Sequence, residues 1–228
     1  MRQLALAAAL LLAPVAAQAQ AAGDPLEPVN RYVHGFNLLA QRHVLGPAAS
    51  AYITWTPASV REGIGNAVAN LGEPVTAASA LLAGEPRMAA KATLRFGINT
   101  TLGLGGVRDA AAEFGYRRAS LGLGDALCRW GVPAGPYLVL PLFGPTTLRD
   151  AGGLIATSLA LSQVVGADAL LAWSAGAGFV DYAAWHPELD RLERGALDGY
   201  AALRSIHRQR RAATCATDPQ IDEEEEDG

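Results

Sequence analysis

Apolar residues recur three or four positions apart in the first part of the chain, which indicates one face of an amphipathic helix. They are Leu26, Val29, Val33, Phe36 and Ala40. Asp24 is predicted to cap this helix, with Pro25 in its first turn and Glu27 placed to reach back to the cap. Gly46 and Pro47 combine two helix breakers, so the helix is predicted to end there.

Prolines at entries and glycines at exits divide the next part of the chain into further helices. One is predicted over residues 57–71 and is ended by Gly72. A short, nearly apolar helix is predicted over residues 74–84, and another over residues 86–99. Proline just inside the start and glycine just past the end are typical of helix punctuation.

Residues 151–180 are almost continuously apolar, with interruptions at Gly166 and Asp168 among others. Each uninterrupted piece is shorter than the roughly 20 residues that a membrane-spanning helix needs, so two helices are predicted. A last helix is predicted to begin at His186 and Pro187 and to run to Arg211, with Asp190 and Arg194 forming an i,i+4 ion pair.

Alternation of apolar and polar residues, the pattern of a half-buried strand, is scarce. The best strand candidate is Tyr137–Leu140, bounded on both sides by proline. Helical patterns account for the rest. The predicted fold class is all-α, a single domain of short amphipathic and apolar helices over residues 24–211.

The two ends of the chain have different compositions. Arg2, an apolar run over residues 4–15 and the small residues Ala17 and Ala19 predict a signal peptide over residues 1–19, with cleavage after Ala21 as the alternative. The predicted mature protein is exported, and its compartment is the bacterial periplasm. Residues 212–228 are polar and then acidic, so they are predicted to form a disordered tail.

Composition narrows the possible classes of protein. Half of the 228 residues are hydrophobic and 18% are charged, which excludes a mostly disordered chain. The net charge is −4, but six of the 22 acids lie in residues 222–227. The remainder is close to neutral, and this argues against a nucleic-acid partner bound through a basic surface.

The chain has two cysteines, Cys128 and Cys215. In an oxidising compartment they could pair in one way only. Cys128 lies in an apolar segment and Cys215 in a polar terminal one, so two separate thiols are the favoured prediction and a disulfide is the alternative. Neither cysteine lies near the predicted cleavage site, and the predicted mature chain therefore has none for a lipid anchor.

Residues with catalytic potential are few. The four histidines have no metal-ligand spacing, and no Gly-x-Ser-x-Gly elbow occurs. The glycine-rich segment 103–106 lacks the lysine of a phosphate loop and is predicted to be a tight turn. Asp109 and Glu113 could serve as an acid and a base, but a helix-terminal carboxylate and a solvated one are favoured. No catalytic residue, metal or cofactor is predicted.

Four segments of the chain form a recognisable pattern when they are taken in order. The first is DPLE at 24–27, followed by Asn30-Arg31 and Phe36-Asn37. The others are PASVREGIGNAVANLGEP at 57–74, RFGINTTLGLGGVRD at 95–109 and WGVPAGPYLVLPLFGPTTLRD at 130–150. Together they resemble the MlaA (VacJ) family of the Gram-negative outer membrane, and the resemblance extends over residues 24–211.

The resemblance implies a helical ring around an amphipathic channel, lying in the inner leaflet of the outer membrane. Members of the family are not enzymes. They take misplaced phospholipid from the outer leaflet, pass it to a soluble periplasmic carrier, and associate with a porin trimer. Because family members are typically lipoproteins, the missing cysteine implies retention by an apolar surface or a partner. The alternative is a soluble periplasmic binding or scaffold protein that has lost membrane residence.

Three groups of residues are candidates for this function. Lipid-path candidates are Tyr137, Leu138, Val139, Leu140 and Phe143, which could equally be plain core. Asn99, Gly103, Gly105 and Gly106 are gating candidates, with a static turn as the favoured alternative. Head-group or partner contacts are candidates at Arg204, Arg208 and Arg211, which share one helix face, with a solvated face as the favoured alternative.

Overall fold

Nine α-helices and one β-hairpin form residues 24–216, the part of the chain that this computed structural model describes. The helices are α1 (Glu27–Ala40), α2 (Gly46–Trp55), α3 (Ala58–Leu82), α4 (Pro86–Thr101), α5 (Ala110–Glu113), α6 (Leu123–Arg129), α7 (Leu148–Val165), α8 (Ala167–Gly195) and α9 (Gly199–Ala216). The strands are β1 (Tyr137–Leu140) and β2 (Gly144–Thr147), paired antiparallel. The predicted helical class is confirmed. The predicted signal peptide and the acidic run 222–227 lie outside the described residues.

Gly46 and Pro47 do not end the first helical segment, so that prediction is wrong. A π-helical stretch, Gln41–Leu45, joins α1 to α2, and the Gly46 N–H donates to the carbonyl of Gln41, five residues back. Pro47 then lies in the first turn of α2, where its missing N–H removes no necessary bond. The wider π turn therefore carries the chain past both breakers.

The predicted break between two helices at Gly72 and Pro74 is also wrong, because α3 runs through both residues. Pro74 leaves the carbonyl of Asn70 without its usual helical donor. The helix continues because α3 packs along α4, burying Asn70, Glu73 and Thr76 on its inner face. Tertiary packing thus overrides a local breaker.

The division of the apolar region into two helices is confirmed. Gly166, with φ +85°, separates α7 from α8.

The predicted start of the last helix at His186 and Pro187 is wrong, since both residues lie inside α8. The predicted i,i+4 pair does form, with Arg194 Nη2 2.6 Å from Asp190 Oδ2. None of the helices between residues 24 and 216 is both long and apolar enough to cross a bilayer.

The C-terminal part differs from the sequence prediction in two ways. Residues 212–216, predicted to be disordered, complete α9. Cys215 forms a disulfide with Cys128, with the Cα atoms 5.7 Å apart, so the prediction of two separate thiols is wrong. The extra turn of α9 and its contact with α6 bring the two cysteines together.

Two asparagines of α1 hold the hairpin. Asn30 Oδ1 accepts from Val139 N–H at 2.9 Å, and its Nδ2 donates to the Tyr137 carbonyl at 2.9 Å. Asn37 lies two turns further along the same face of α1. It accepts from Leu142 N–H at 2.8 Å and donates to the Leu140 carbonyl at 3.0 Å. The predicted strand is confirmed, and side-chain amides of a helix fix its position.

The start of α1 departs from the predicted capping box. The helix begins at Glu27, whose carboxylate pairs with Arg31 at 2.7 Å rather than with the cap. Asp24 is buried and accepts hydrogen bonds from Leu26 N–H at 2.9 Å, from Asn30 Nδ2 at 2.8 Å and from the Tyr200 hydroxyl. Burial opposes ionisation, but these bonds lower the pKa of Asp24 below its usual value.

The distribution of side chains is inverted relative to a water-soluble protein. The largest fully buried side chains are polar, namely Arg95, Asn30, Asn70 and Asn99, and most buried hydrophobic residues are alanines. Large apolar side chains lie on the surface, including Tyr32 and Trp55, which are 81% and 83% exposed. Such an exterior marks a surface that meets a membrane or another protein.

Candidate functional site

A cavity opens between α2, α3 and α8. Its volume is about 440 Å³. We call it the amphipathic cavity, because charged and apolar side chains line it together: Tyr52, Ile53, Ala58, Arg61, Glu62, Gly65, Asn66, Ala69, Arg118, Val180, Asp181, Ala183 and Ala184. This volume is within the range of small-ligand sites.

The polar side of the amphipathic cavity carries two arginines and two carboxylates. Arg61 Nη1 donates to the carbonyls of Thr56, at 2.7 Å, and of Ile53, at the C-terminal end of α2, where a cation is favoured by the helix dipole. The neighbouring helices displace water around Asp181, which raises the pKa of its carboxyl although Arg118 opposes the change. A charged or zwitterionic group would find both signs of charge here.

The apolar side of the amphipathic cavity comes from α2 and α8. Ile53, Val180 and several alanines line it. The ring of Tyr52 meets that of Phe179 edge to face, with the centroids 5.7 Å apart. The buried hydroxyl of Tyr52 has no hydrogen-bond partner among the described residues. A ligand with one polar group could therefore satisfy a donor that the protein leaves unpaired.

A buried ion cluster lies beside the amphipathic cavity and joins α3 to α4. Arg95, 1% exposed, donates to Glu73 Oε1 at 2.7 Å, to Asp109 Oδ2 at 3.0 Å and to the Tyr116 carbonyl. Arg118, which lines the cavity, lies 3.8 Å from the same Glu73 oxygen. Burial opposes ionisation of Asp109, but Arg95 and Asn99 lower its pKa below the usual value. The cluster fixes the cavity wall.

Of the gating candidates, Asn99 lies in the last turn of α4, and the three glycines lie in the turn between α4 and α5. Asn99 is buried, donates to Asp109 Oδ1 at 3.0 Å and accepts from Ala111 N–H at 2.8 Å. The Gly106 N–H donates to the Asn99 carbonyl at 2.8 Å, and φ is +75° at Gly105 and +96° at Gly106. Asp109 caps α5, as predicted. The predicted tight turn is confirmed, while a gating role for these residues stays a prediction.

We expect Gly106→Ala to destabilise the protein more than Gly105→Ala. Both residues have positive φ, which costs an alanine roughly 1–2 kcal/mol. A Cβ at Gly105 meets nothing within 4 Å, whereas one at Gly106 would lie 2.6 Å from Asn70 Cβ and add about 1–3 kcal/mol of overpacking. Urea unfolding of both variants, purified in detergent and followed by circular dichroism, measures the difference. Equal losses would contradict a closely packed turn.

The lipid-path candidates occupy the hairpin and do not line the amphipathic cavity. Tyr137 and Val139 are buried and pack with Tyr200 and Val33, as the plain-core alternative predicted. The two other strand residues, Leu138 and Leu140, are half-buried. Phe143, in the turn of the hairpin, is 69% exposed.

The three arginines of α9 have different surroundings. Arg211 is ion-paired with Asp125 and, at 2.8 Å, with Asp150, so it is not solvated. Arg204 lies with its guanidinium 6.0 Å from the centre of the Tyr137 ring. Arg208 is exposed and borders a second cavity, next to Arg149 and Arg211.

Sequence reasoning missed Arg61, Arg118 and Asp181 as cavity residues and Arg95 as the centre of a buried cluster. Arg61, Glu73, Arg95 and Asp109 all lie within the segments that resemble the family. For Arg61, Glu73 and Arg95, a charged residue on a helix face rich in small residues is the signal that could have identified them. Within residues 24–216, no three histidine, cysteine or acidic side chains are grouped to hold a metal ion.

Comparison with known proteins gives consistent matches. The family model described as MlaA lipoprotein matches residues 22–214. The "Intermembrane phospholipid transport system lipoprotein MlaA" of Haemophilus influenzae is 35% identical over 193 residues, which cover 82% of this chain and 76% of that protein. An uncharacterised protein of Rickettsia typhi is 34% identical over 194 residues, covering 83% of this chain and 77% of its own length.

A solved structure agrees with the sequence matches. It comes from work on the structural basis for maintenance of bacterial outer membrane lipid asymmetry. The TM-score is 0.73 at 33% sequence identity, and the match covers 85% of this chain and 99% of the solved one. The chain therefore belongs to the MlaA lipoprotein family.

Proposed function

We propose that this protein removes mislocalised phospholipid from the outer leaflet of the outer membrane and passes it to a soluble periplasmic carrier, without catalysing a reaction. The family supports transport of phospholipid, since its named relatives are components of an intermembrane phospholipid transport system. The transfer maintains lipid asymmetry between the two leaflets.

One observation carries the membrane part of this proposal: many large apolar side chains lie on the exterior, and the largest fully buried side chains are polar. On α1, Val29, Tyr32, Phe36 and Leu39 lie three or four residues apart and are all exposed, while Asn30 and Asn37 face inward. Exposing such a stripe to water is unfavourable, and placing it against acyl chains removes that cost. The protein would lie in the periplasmic side of the outer membrane.

In this proposal, phospholipid passes through the amphipathic cavity, and the helices form a ring-like arrangement around the lipid route. Its charged side suits a head group and its apolar side suits an acyl chain. Leu138, Leu140 and Phe143 of the hairpin have accessible surface on which an acyl chain could slide. A porin trimer is the proposed membrane partner, and it would help to retain the protein at the membrane.

Filling the amphipathic cavity tests the route. Gly65 lines the cavity and a Cβ there meets no atom of residues 24–216 within 4 Å, so Gly65→Leu places a side chain in open space. Gly72→Leu is the matched control, two turns along the same helix, outside the cavity and equally free of contacts. We expect Gly65→Leu to reduce co-purifying phospholipid several-fold and Gly72→Leu to leave it unchanged.

The measurement combines fractionation with lipid extraction. Untagged protein is produced in Gram-negative cells, located by membrane fractionation, and purified in mild detergent for lipid analysis. Outer-membrane recovery with intact phospholipid supports the proposal. Recovery as a lipid-free soluble protein would favour a periplasmic binding or scaffold role, and release of fatty acid or head group would contradict a non-enzymatic one.

A further inference from the structure

Charged residues of both signs line the amphipathic cavity in equal number. Arg61 and Arg118 supply the positive charges, and Glu62 and Asp181 supply the negative ones. The lining residues therefore have no net charge at neutral pH. A head group with a single negative charge would be attracted by the arginines and repelled by the carboxylates, whereas a zwitterion can interact favourably with both.

The two arginines differ in how firmly the protein holds them. Arg61 is bound to the carbonyls of Ile53 and Thr56 at the end of α2. Arg118 lies in the connection between α5 and α6, with its Nε 3.8 Å from Glu73 Oε1, which is too long for a hydrogen bond. The Arg118 side chain is 37% exposed, so its guanidinium can turn towards a phosphate and pair with it through two parallel hydrogen bonds.

Asp181 is the carboxylate best placed to receive a positive group. It lies on α8, and no donor within residues 24–216 forms a hydrogen bond to it. Burial between the helices raises the pKa of its carboxyl, and Arg118 is close enough to oppose the change. A ligand ammonium would supply the hydrogen bonds that this carboxylate lacks and would compensate for the loss of water around it.

We propose that the amphipathic cavity selects phospholipids whose head group is zwitterionic and ends in a primary ammonium, as in phosphatidylethanolamine. Arg118 holds the phosphodiester, and Asp181 holds the ammonium. This inference rests on the proposed transport function and names the class of lipid that the same site prefers. Phosphatidylglycerol would place only hydroxyl groups against Asp181, and its negative charge would have no cationic counterpart in the ligand.

The same cavity favours a primary ammonium over a quaternary one. A primary ammonium has N–H groups that donate to a carboxylate, whereas a quaternary ammonium such as choline has none and is typically bound by the faces of several aromatic rings. Tyr52 is the aromatic residue of the lining, and its ring is engaged edge to face with Phe179. Its buried hydroxyl, which has no partner among the described residues, would donate to an ester carbonyl of the bound lipid.

Loading from a lipid mixture tests the selectivity. The full chain is incubated in mild detergent with equimolar phosphatidylethanolamine, phosphatidylglycerol and phosphatidylcholine of identical acyl chains, repurified, and analysed for bound lipid by mass spectrometry. Asp181→Asn removes the negative charge, and Arg118→Gln removes the positive one. Glu188→Gln, two turns further along α8, and Arg117→Gln, next to Arg118, are the matched controls, because neither residue lines the cavity.

We expect the wild type to bind phosphatidylethanolamine about tenfold in excess over each of the other two lipids, as one additional charge-assisted contact predicts. Asp181→Asn should remove most of this preference without abolishing lipid binding. Arg118→Gln should lower binding of all three lipids, since each carries the phosphodiester. Both control variants should keep the amount and the ratio of lipids found for the wild type.

A wild-type lipid ratio equal to that of the mixture would overturn the proposal, and so would equal preferences in Asp181→Asn and Glu188→Gln. Lipid bound without selectivity leaves the transport function standing, whereas a wild type that binds none of the three lipids contradicts transport and selectivity together. Displacement of the lipid by an equimolar amount of glycerophosphoethanolamine, which has the head group but no acyl chains, would assign the site to a soluble ligand instead.

Discussion

Replacing Arg95 with methionine is expected to lower the free energy of unfolding by about 3–5 kcal/mol. The substitution leaves Glu73, which is 2% exposed, and Asp109 without their shared cation in the interior. It also leaves the Tyr116 carbonyl without its donor. Urea unfolding of protein purified in detergent measures the loss, and a reduced yield of folded protein is expected with it.

Arg108→Met is the control for this experiment. Arg108 forms a bidentate ion pair with Glu113, with Nε–Oε1 and Nη2–Oε2 distances of 2.7 Å each. Both side chains are more than half exposed. Water replaces the partner of an exposed charge at little cost, so we expect no measurable change in stability. Similar losses of unfolding free energy in the two variants would show that burial does not make the Arg95 cluster more stabilising than an exposed ion pair.

Reducing the disulfide is expected to produce the second largest loss, about 2–4 kcal/mol in the free energy of unfolding. Cys128 and Cys215 are 87 residues apart in sequence, so the bridge closes a long loop and restricts the unfolded chain strongly. Unfolding with and without a thiol reductant measures the effect, and Cys215→Ser should reproduce it.

Limited proteolysis adds a readout for the same bridge. The connection between α8 and α9 contains Leu197, which is fully exposed. Without the disulfide, the C-terminal half of α9 is held by Arg211 and by contacts with the hairpin, while Tyr200 holds its first turn, so cleavage near Leu197 should release it more readily. If the reductant destabilised Cys215→Ser as much as it destabilises the wild type, its effect would not come from the disulfide.

The existence of most helices could be predicted from the sequence, because apolar spacing and glycine or proline signals are local. The start of α4 at Pro86 and the break at Gly166 are examples. Helix ends could not be predicted wherever packing decided them. Pro74 and Pro187 lie inside helices because long-range contacts stabilise α3 and α8 across them.

The sequence also did not predict which face of each helix lies inward. Hydrophobic spacing on α1 predicts an amphipathic helix but does not say whether its apolar face meets a core or a membrane. Val29 is 61% exposed while Asn30 is buried, which reverses the arrangement expected in water. The resemblance to a family was the only sign of this in the sequence.

The candidate site depended on contacts between distant residues. Ile53, Arg118 and Asp181 reach the amphipathic cavity from three separate parts of the chain. Their side chains have no common spacing that a single sequence could display. The disulfide escaped prediction for the same reason, since it required α9 to extend beyond Arg211 and pack near α6.

The two asparagines of α1 have a consequence for the fate of the hairpin in a crowded compartment. A two-stranded sheet has unpaired edges, and an open edge can recruit a strand from another molecule and begin aggregation. Asn30 occupies the Tyr137 carbonyl and the Val139 N–H, which share one side of β1, and Asn37 holds the Leu140 carbonyl and the Leu142 N–H where β1 runs into the turn. A helix thereby occupies backbone groups that a neighbouring chain would otherwise use, which disfavours pairing of the hairpin with another copy.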